Sequence, residues 1–165
     1  MRDNSQEMLP TVDERGNITG AATRGSCHDG SMLLHPVVHL HVLSPKGDIF
    51  LQKRPEWKDI QPDRWDTAVG GHIDLGESVE QALLREAREE IGIDATGAER
   101  LPPYIFQSDT ERELVFPHKL VYEGEITPGA ETAGGRFWGK EEIDDAIGKD
   151  ILTPNFEQEY QRLFR

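Results

Sequence analysis

Between Ser78 and Gly92 the sequence carries both end signals of an α-helix. Ser78 followed three residues later by Gln81 forms a capping box, in which each side chain satisfies a backbone N–H that the first helical turn leaves unpaired. Gly92 stands where a left-handed C-terminal cap belongs. Inside those bounds Val79, Leu83, Ala87 and Ile91 recur every four residues as one apolar stripe. This predicts a helix over 78–91 that must lie on an apolar surface built by the rest of the chain.

Strand-type segments can supply that surface. Val37–Leu43 is β-branched and apolar with His39 and His41 alternating, and Pro45-Lys46-Gly47-Asp48 turns it into Ile49–Lys53, the clearest hairpin in the chain. Val12 and Ile18 flank a turn-rich Asp13-Glu14-Arg15-Gly16-Asn17 and suggest a second. After a Pro-bounded loop from Pro55 to Pro62, Trp65–Val69 reads as a short strand running into Gly70-Gly71, where backbone must approach something closely. Tyr104–Gln107 and Leu114–Tyr122 read as strands and Glu141–Ile147 as a short helix. Thr153-Pro154 opens a last helix that turns Phe156, Tyr160, Leu163 and Phe164 inward. Strands and helices mix without regular βαβ alternation, so the fold class is α+β, a layered domain around a mixed β-sheet.

A chain of 165 residues without repeats or a Pro/Ser linker reads as one domain over 1–165, with an N-terminal segment up to about residue 11 expected to be mobile. The formal charge of -13 disfavours nucleic-acid polymers and anionic membranes as partners. Cys27 is the single cysteine, so no intramolecular disulfide forms, and the polar start MRDNSQEML lacks the apolar region of a signal peptide. The expected location is the cytoplasm.

The predicted helix also gathers like charge. Glu86, Glu89 and Glu90 are neighbours at i+3 and i+4 spacing, which costs a free helix a few tenths of a kcal/mol per pair. A solvated face relieved by pairs such as Arg85 with Glu89 is the plain explanation for an isolated REAREE. This run is not isolated. Gly71, Glu77, Arg85, Glu86, Glu89, Glu90 and Gly92 stand together in GHIDLGESVEQALLREAREEIGI, which resembles the Nudix box, G-x5-E-x7-R-E-U-x-E-E-x-G-U with U aliphatic. Seven such residues at about 6–7% each arise by chance roughly once in 10⁸ starting points.

The resemblance implies a Nudix-type α/β/α sandwich and metal-assisted hydrolysis of a diphosphate joined to another group. It implies Mg²⁺ or Mn²⁺ as cofactor, since hard cations take carboxylate oxygens beside substrate phosphates. Carried over by position, Glu86, Glu89 and Glu90 are ligands, one of them serving as base. Arg85 orients a glutamate, the Gly71 carbonyl adds an oxygen, and Glu77 is a supporting contact or outer ligand. The partner is a small diphosphate compound, and such domains often pair as homodimers.

Around the box, His28, His35, His72, Glu111 and Glu113 are similar to the His3Glu2 metal site of type I isopentenyl-diphosphate isomerases, a Nudix-fold family. That similarity implies a further divalent metal there. It continues through LQKRPEWKDIQPDRW, where Arg54 and Lys58 match the cations for diphosphate. Three departures oppose isomerase chemistry: Gly70 stands where those enzymes have their catalytic Cys, Glu86 where they tend to have Arg, and Asn155 where they use Trp. The expected function is therefore a metal-dependent Nudix hydrolase, a pyrophosphohydrolase cleaving a nucleoside diphosphate derivative or similar organic pyrophosphate by water attack at phosphorus. The alternatives are an isomerase-like enzyme and a non-catalytic sensor of diphosphate ligands. Trp57, Trp65 and Trp138 receive no role.

Overall fold

A computed structural model of the protein describes residues 5–58 and 61–164. The chain opens with a hairpin of β1 (Met8–Val12) and β2 (Ile18–Thr23), closed by Asp13, whose carboxylate accepts from the N–H groups of Arg15 and Asn17. Met8–Thr11 thus pair with Gly20–Thr23, within the segment expected to be mobile up to residue 11, whose first four residues lie outside the described ones. One turn of helix, α1 (Arg24–Cys27), follows, capped by the Thr23 hydroxyl; nothing in the sequence reading anticipated it.

The main sheet is built on β3 (Leu34–Leu43) and β9 (Arg112–Val121), which run parallel from Leu34 opposite Arg112 to Leu43 opposite Val121. Every other strand-to-strand pairing among the described residues is antiparallel, apart from a single parallel bridge between Trp65 and Leu152, which makes the sheet mixed as expected. β4 (Ile49–Lys53) joins the end of β3, β5 (Trp65–Thr67) pairs with β4, and β6 (Val69–His72) pairs with the middle of β3. The expected single strand over 65–69 is therefore two. The chain leaves the side of β4 at Ala68 and continues along β3, so its hydrogen-bonding partner changes within one residue. β7 (Glu99–Arg100), β8 (Tyr104–Gln107) and β10 (Gly135–Trp138) complete the sheet.

Side chains on β3 alternate between two buried faces. Val38, Leu40 and Val42 pack on α2 (Val79–Ile91) through Ala82, Leu83, Ala87 and Ile91. On the other face Ile49, Leu51 and Trp138 pack on α3 (Lys140–Ala146) and α4 (Pro154–Phe164) through Ile143, Phe156 and Tyr160. The result is the three-layer α/β/α arrangement. Both sides of the Ser78–Gln81 capping box form, and Gly92 adopts φ 69° as the left-handed cap. No helix among the described residues is long and apolar enough to cross a membrane.

Candidate metal and diphosphate site

Gly70 and Gly71 lie on β6 opposite His39 and Val38 of β3. Alternation therefore aims Gly71 at α2 and Gly70 at the opposite face. A Cβ on Gly71 would collide with the Glu86 carboxylate, so any larger residue displaces that acid. Glu90, one turn further along α2, accepts from Gln52 Nε2 at 2.9 Å and from the Gly70 N–H at 3.3 Å. Burial and the adjacent Glu86 carboxylate push its pKa well above the ordinary range. Two carboxylates and a strand backbone thus converge at one sheet edge, in a cradle that only glycine leaves open. That donor set, oxygen throughout, fits a hard divalent cation. Glu89 points further out, with 46% of its side chain exposed and a 3.5 Å contact to Arg85.

Arg85 organises this edge. Its guanidinium holds Glu77 through Nε at 2.7 Å and Nη2 at 2.9 Å, reaches Glu86 Oε1 at 2.5 Å, and donates to the His72 carbonyl at 3.1 Å. The helix is thereby tied to β6. Both Glu77 oxygens are engaged by Arg85, and one also accepts from the Asp74 N–H. Those bonds hold the Glu77 carboxyl below its usual pKa.

The histidines foreseen as a second metal set do converge. The rings of His28, His35 and His72 lie 5.1–5.4 Å apart, with Nε2 of His28 and His72 at 3.2 Å. Glu111 approaches His28 Nε2 at 3.1 Å and Glu113 approaches His35 Nε2 at 3.9 Å. His35 donates from Nδ1 to the Leu33 carbonyl, which leaves Nε2 as a buried lone pair without a hydrogen-bond partner. Burial lowers the pKa of His35 and His72 and keeps both rings neutral, the state a metal requires. An orphaned imidazole nitrogen among two more histidines and two glutamates fits a borderline divalent ion. Burial raises the Cys27 pKa, so that buried thiol stays protonated beside the cluster.

Arg54 approaches Asp66 Oδ2 at 3.6 Å, and Lys58 lies over the Trp57 ring at 5.0 Å from its centroid. Residues 59–60 of that loop lie outside the described ones.

One polar group escaped the sequence reading. Glu159 of α4 has no exposed surface, and its carboxylate accepts from His39 Nδ1 at 2.9 Å, from His41 Nε2 and from the Tyr104 hydroxyl. The Coulombic pull and hydrogen bonds of His39 and His41 overcome burial and hold its pKa far below the carboxylate range, while His39 rises to about 9. A signal for it existed: Glu159 sits three residues after Phe156 and beside Tyr160, on the inward side of α4.

Comparison with known proteins agrees with this geometry. The NUDIX domain matches residues 33–156. An uncharacterised Nudix hydrolase of Streptomyces coelicolor is 30% identical over 99% of this chain and 91% of its own length. An isopentenyl-diphosphate Delta-isomerase of Escherichia coli is 30% identical over 74% of this chain and 64% of its own. The crystal structure of DR0079 from Deinococcus radiodurans shares the fold with a TM-score of 0.76 at 22% identity, covering 96% of this chain and 100% of that one. With the box intact on α2 and the domain matched across most of its length, the chain belongs to the Nudix hydrolase family, in the branch that resembles the isopentenyl-diphosphate isomerases.

Proposed function

We propose that the protein hydrolyses a diphosphate linkage in a small organic diphosphate, using Mg²⁺ or Mn²⁺. The observation that carries this reading is the Glu86–Glu90 pair pressed against Gly71 and Gly70, a cradle of acids in which the half-buried Glu90 has no cation partner among the described residues. Glu86, Glu90 and the Gly71 carbonyl would hold the ion, with Glu89 at its outer side. When bound, the ion polarises phosphorus and lowers the pKa of an attacking water. Arg85 fixes Glu86 and β6 in register, and Arg54 and Lys58 draw in the phosphates. The second cluster, His28, His35, His72, Glu111 and Glu113, would hold a further divalent ion and close the site beyond β6.

An isomerase-like activity has one observation in its favour, the convergence of that same cluster. It lacks a proton-moving side chain at position 70, which is glycine. The deciding experiment measures release of phosphate monoesters from nucleoside diphosphate derivatives and of phosphate from isopentenyl diphosphate, with Mg²⁺ or Mn²⁺, for the wild type and Glu90→Gln. Metal-dependent release lowered at least ~10²-fold in the variant is expected. Allylic isomer without phosphate release would overturn the hydrolase reading.

A further inference from the structure

The mechanism above leaves the His39–Glu159 pair unused, although it borders the same site from the other side of β6. His39 lies directly opposite Gly70 in the β3–β6 register. The Cβ that Gly70 lacks would sit 3.4 Å from His39 Cδ2 and 3.7 Å from Nε2, so the absent side chain uncovers the outer edge of this ring. Gly70 itself is exposed, and His39 keeps 14% of its side chain accessible. The inner nitrogen, Nδ1, is committed to Glu159. That bond orients the ring, and in the charged imidazolium that Glu159 favours Nε2–H is an outward donor, with no hydrogen bond from it among the described residues.

The neighbouring histidine shows what a purely internal role looks like. His41 is fully buried, gives Nε2 to the other Glu159 oxygen and packs against Phe156 and Phe164. The two rings share one carboxylate, yet only His39 reaches the site. Gly71 and the metal carboxylates lie on the α2 side of β6, and His39 lies on the opposite side. The exposed Gly70 stands between Gly71 and the His39 ring edge, on a path open to a group attached to a diphosphate held at α2.

We propose that His39 reads the group attached to the diphosphate, donating a hydrogen bond from Nε2 to an oxygen of that group, and that Glu159 is its positioning residue. The attached group is then one that offers acceptor oxygens, such as a sugar or nucleoside, and not a hydrocarbon chain. This assignment rests on the hydrolase reading for its reaction, but its test is a binding measurement that stands without turnover.

The test compares two non-hydrolysable probes by calorimetry in the presence of Mg²⁺: methylenediphosphonate alone, and its nucleoside-bearing ester. The variants separate the two ring nitrogens. His39→Asn places an amide near Nδ1 and preserves the bond to Glu159, whereas His39→Gln places one near Nε2. The preference for the nucleoside-bearing probe should fall roughly tenfold in His39→Asn and be largely restored in His39→Gln, the size expected for one lost hydrogen bond from a charged donor. Full preference in His39→Asn would show that only the Glu159 bond matters and would overturn the proposal. Equal weakening of both probes would place the oxygen on the diphosphate and also overturn it. If the wild type binds with this preference yet cleaves the diphosphate linkage of no substrate, the hydrolase reading fails while the assignment of His39 stands.

Discussion

Two glutamates on opposite sides of one sheet, one half-buried and one fully buried, have opposite protonation behaviour. Glu90 on α2 is pushed above the ordinary carboxylate range, because burial and Glu86 both oppose its ionisation and only Gln52 and the Gly70 N–H offer help. Glu159 on α4 is more deeply enclosed, yet it is held far below that range by His39 and His41. Burial alone therefore does not decide what an interior acid does. An acid whose charge the fold leaves uncompensated is suited to a cation from outside, whereas one surrounded by donors is a fixed part of the scaffold.

The sharpest way to break the comparison is to remove the compensated acid. Glu159→Ala strips His39, His41 and Tyr104 of a shared acceptor within the packed layer. Breaking a buried pair from one side typically costs about 3–5 kcal/mol, a large part of the stability of a domain this size. Chemical denaturation should show that loss as a lower midpoint. Glu90→Gln is the opposite experiment. Activity should fall at least ~10²-fold, about 2.7 kcal/mol in transition-state stabilisation. Without added metal, however, thermal unfolding at neutral pH should occur at higher temperature than in the wild type. A carboxylate whose folded pKa is raised opposes folding once it must ionise, and the amide removes that penalty. A Glu90→Gln protein that melts lower without metal would contradict the uncompensated charge.

These two acids were not equally legible in the sequence. Glu90 lies in a local pattern: the capping box, the four-residue stripe and the terminal glycine fix α2, and helical spacing then places Glu86 and Glu90 on one side. Glu89 shared that pattern but points outward, since successive helical residues diverge by about 100° and Glu90 beside it faces β6. Gly71 and Arg85 were likewise within reach, since their partners lie in the same twenty-odd residues. Glu159 pairs with His39 across 120 positions, and periodicity within either element cannot report a partner on the other. The same reason hid β7 and β10, short strands defined by neighbours at Lys119 and at Ile49–Gln52 more than by their own residues. The break at Ala68 was hidden too, since Trp65–Val69 keeps its strand character while changing partner.

A titration sharpens the comparison with a smaller effect. His39 is lifted to about 9 by Glu159, helped by Glu113 from β9 and Asp66 from β5, against an ordinary value of 6.5. Its contribution to stability is fully present below pH 6.5 and is lost as pH rises through 9. Glu113, raised to about 7, loses its proton earlier and has lost most of it by about pH 7.5. Between pH 7.5 and 9.5 the metal-free protein should therefore lose about 2 kcal/mol that His39→Leu does not lose. Denaturation curves at the two pH values measure it, and a flat response in the wild type would separate His39 from Glu159.

The smallest effect tests the line between the two regions, at the adjacent glycines of β6. Gly71 faces Glu86, where no side chain fits, but a methyl group at Gly70 would face His39 Cδ2 at 3.4 Å. That contact asks the His39 ring to give by only a few tenths of an ångström, and the exposed backbone at Gly70 needs no left-handed conformation. Gly70→Ala should thus change stability by less than about 0.5 kcal/mol, as an exposed substitution without a clash does. The added carbon nevertheless covers part of the His39 edge. Its effect should appear in the His39-dependent preference between the two diphosphonate probes, because the methyl stands where the attached group passes. A loss of more than about 1 kcal/mol in denaturation would mean that Gly70 is packed into the scaffold, and that the edge of β6 is closed where an extended substrate needs it open.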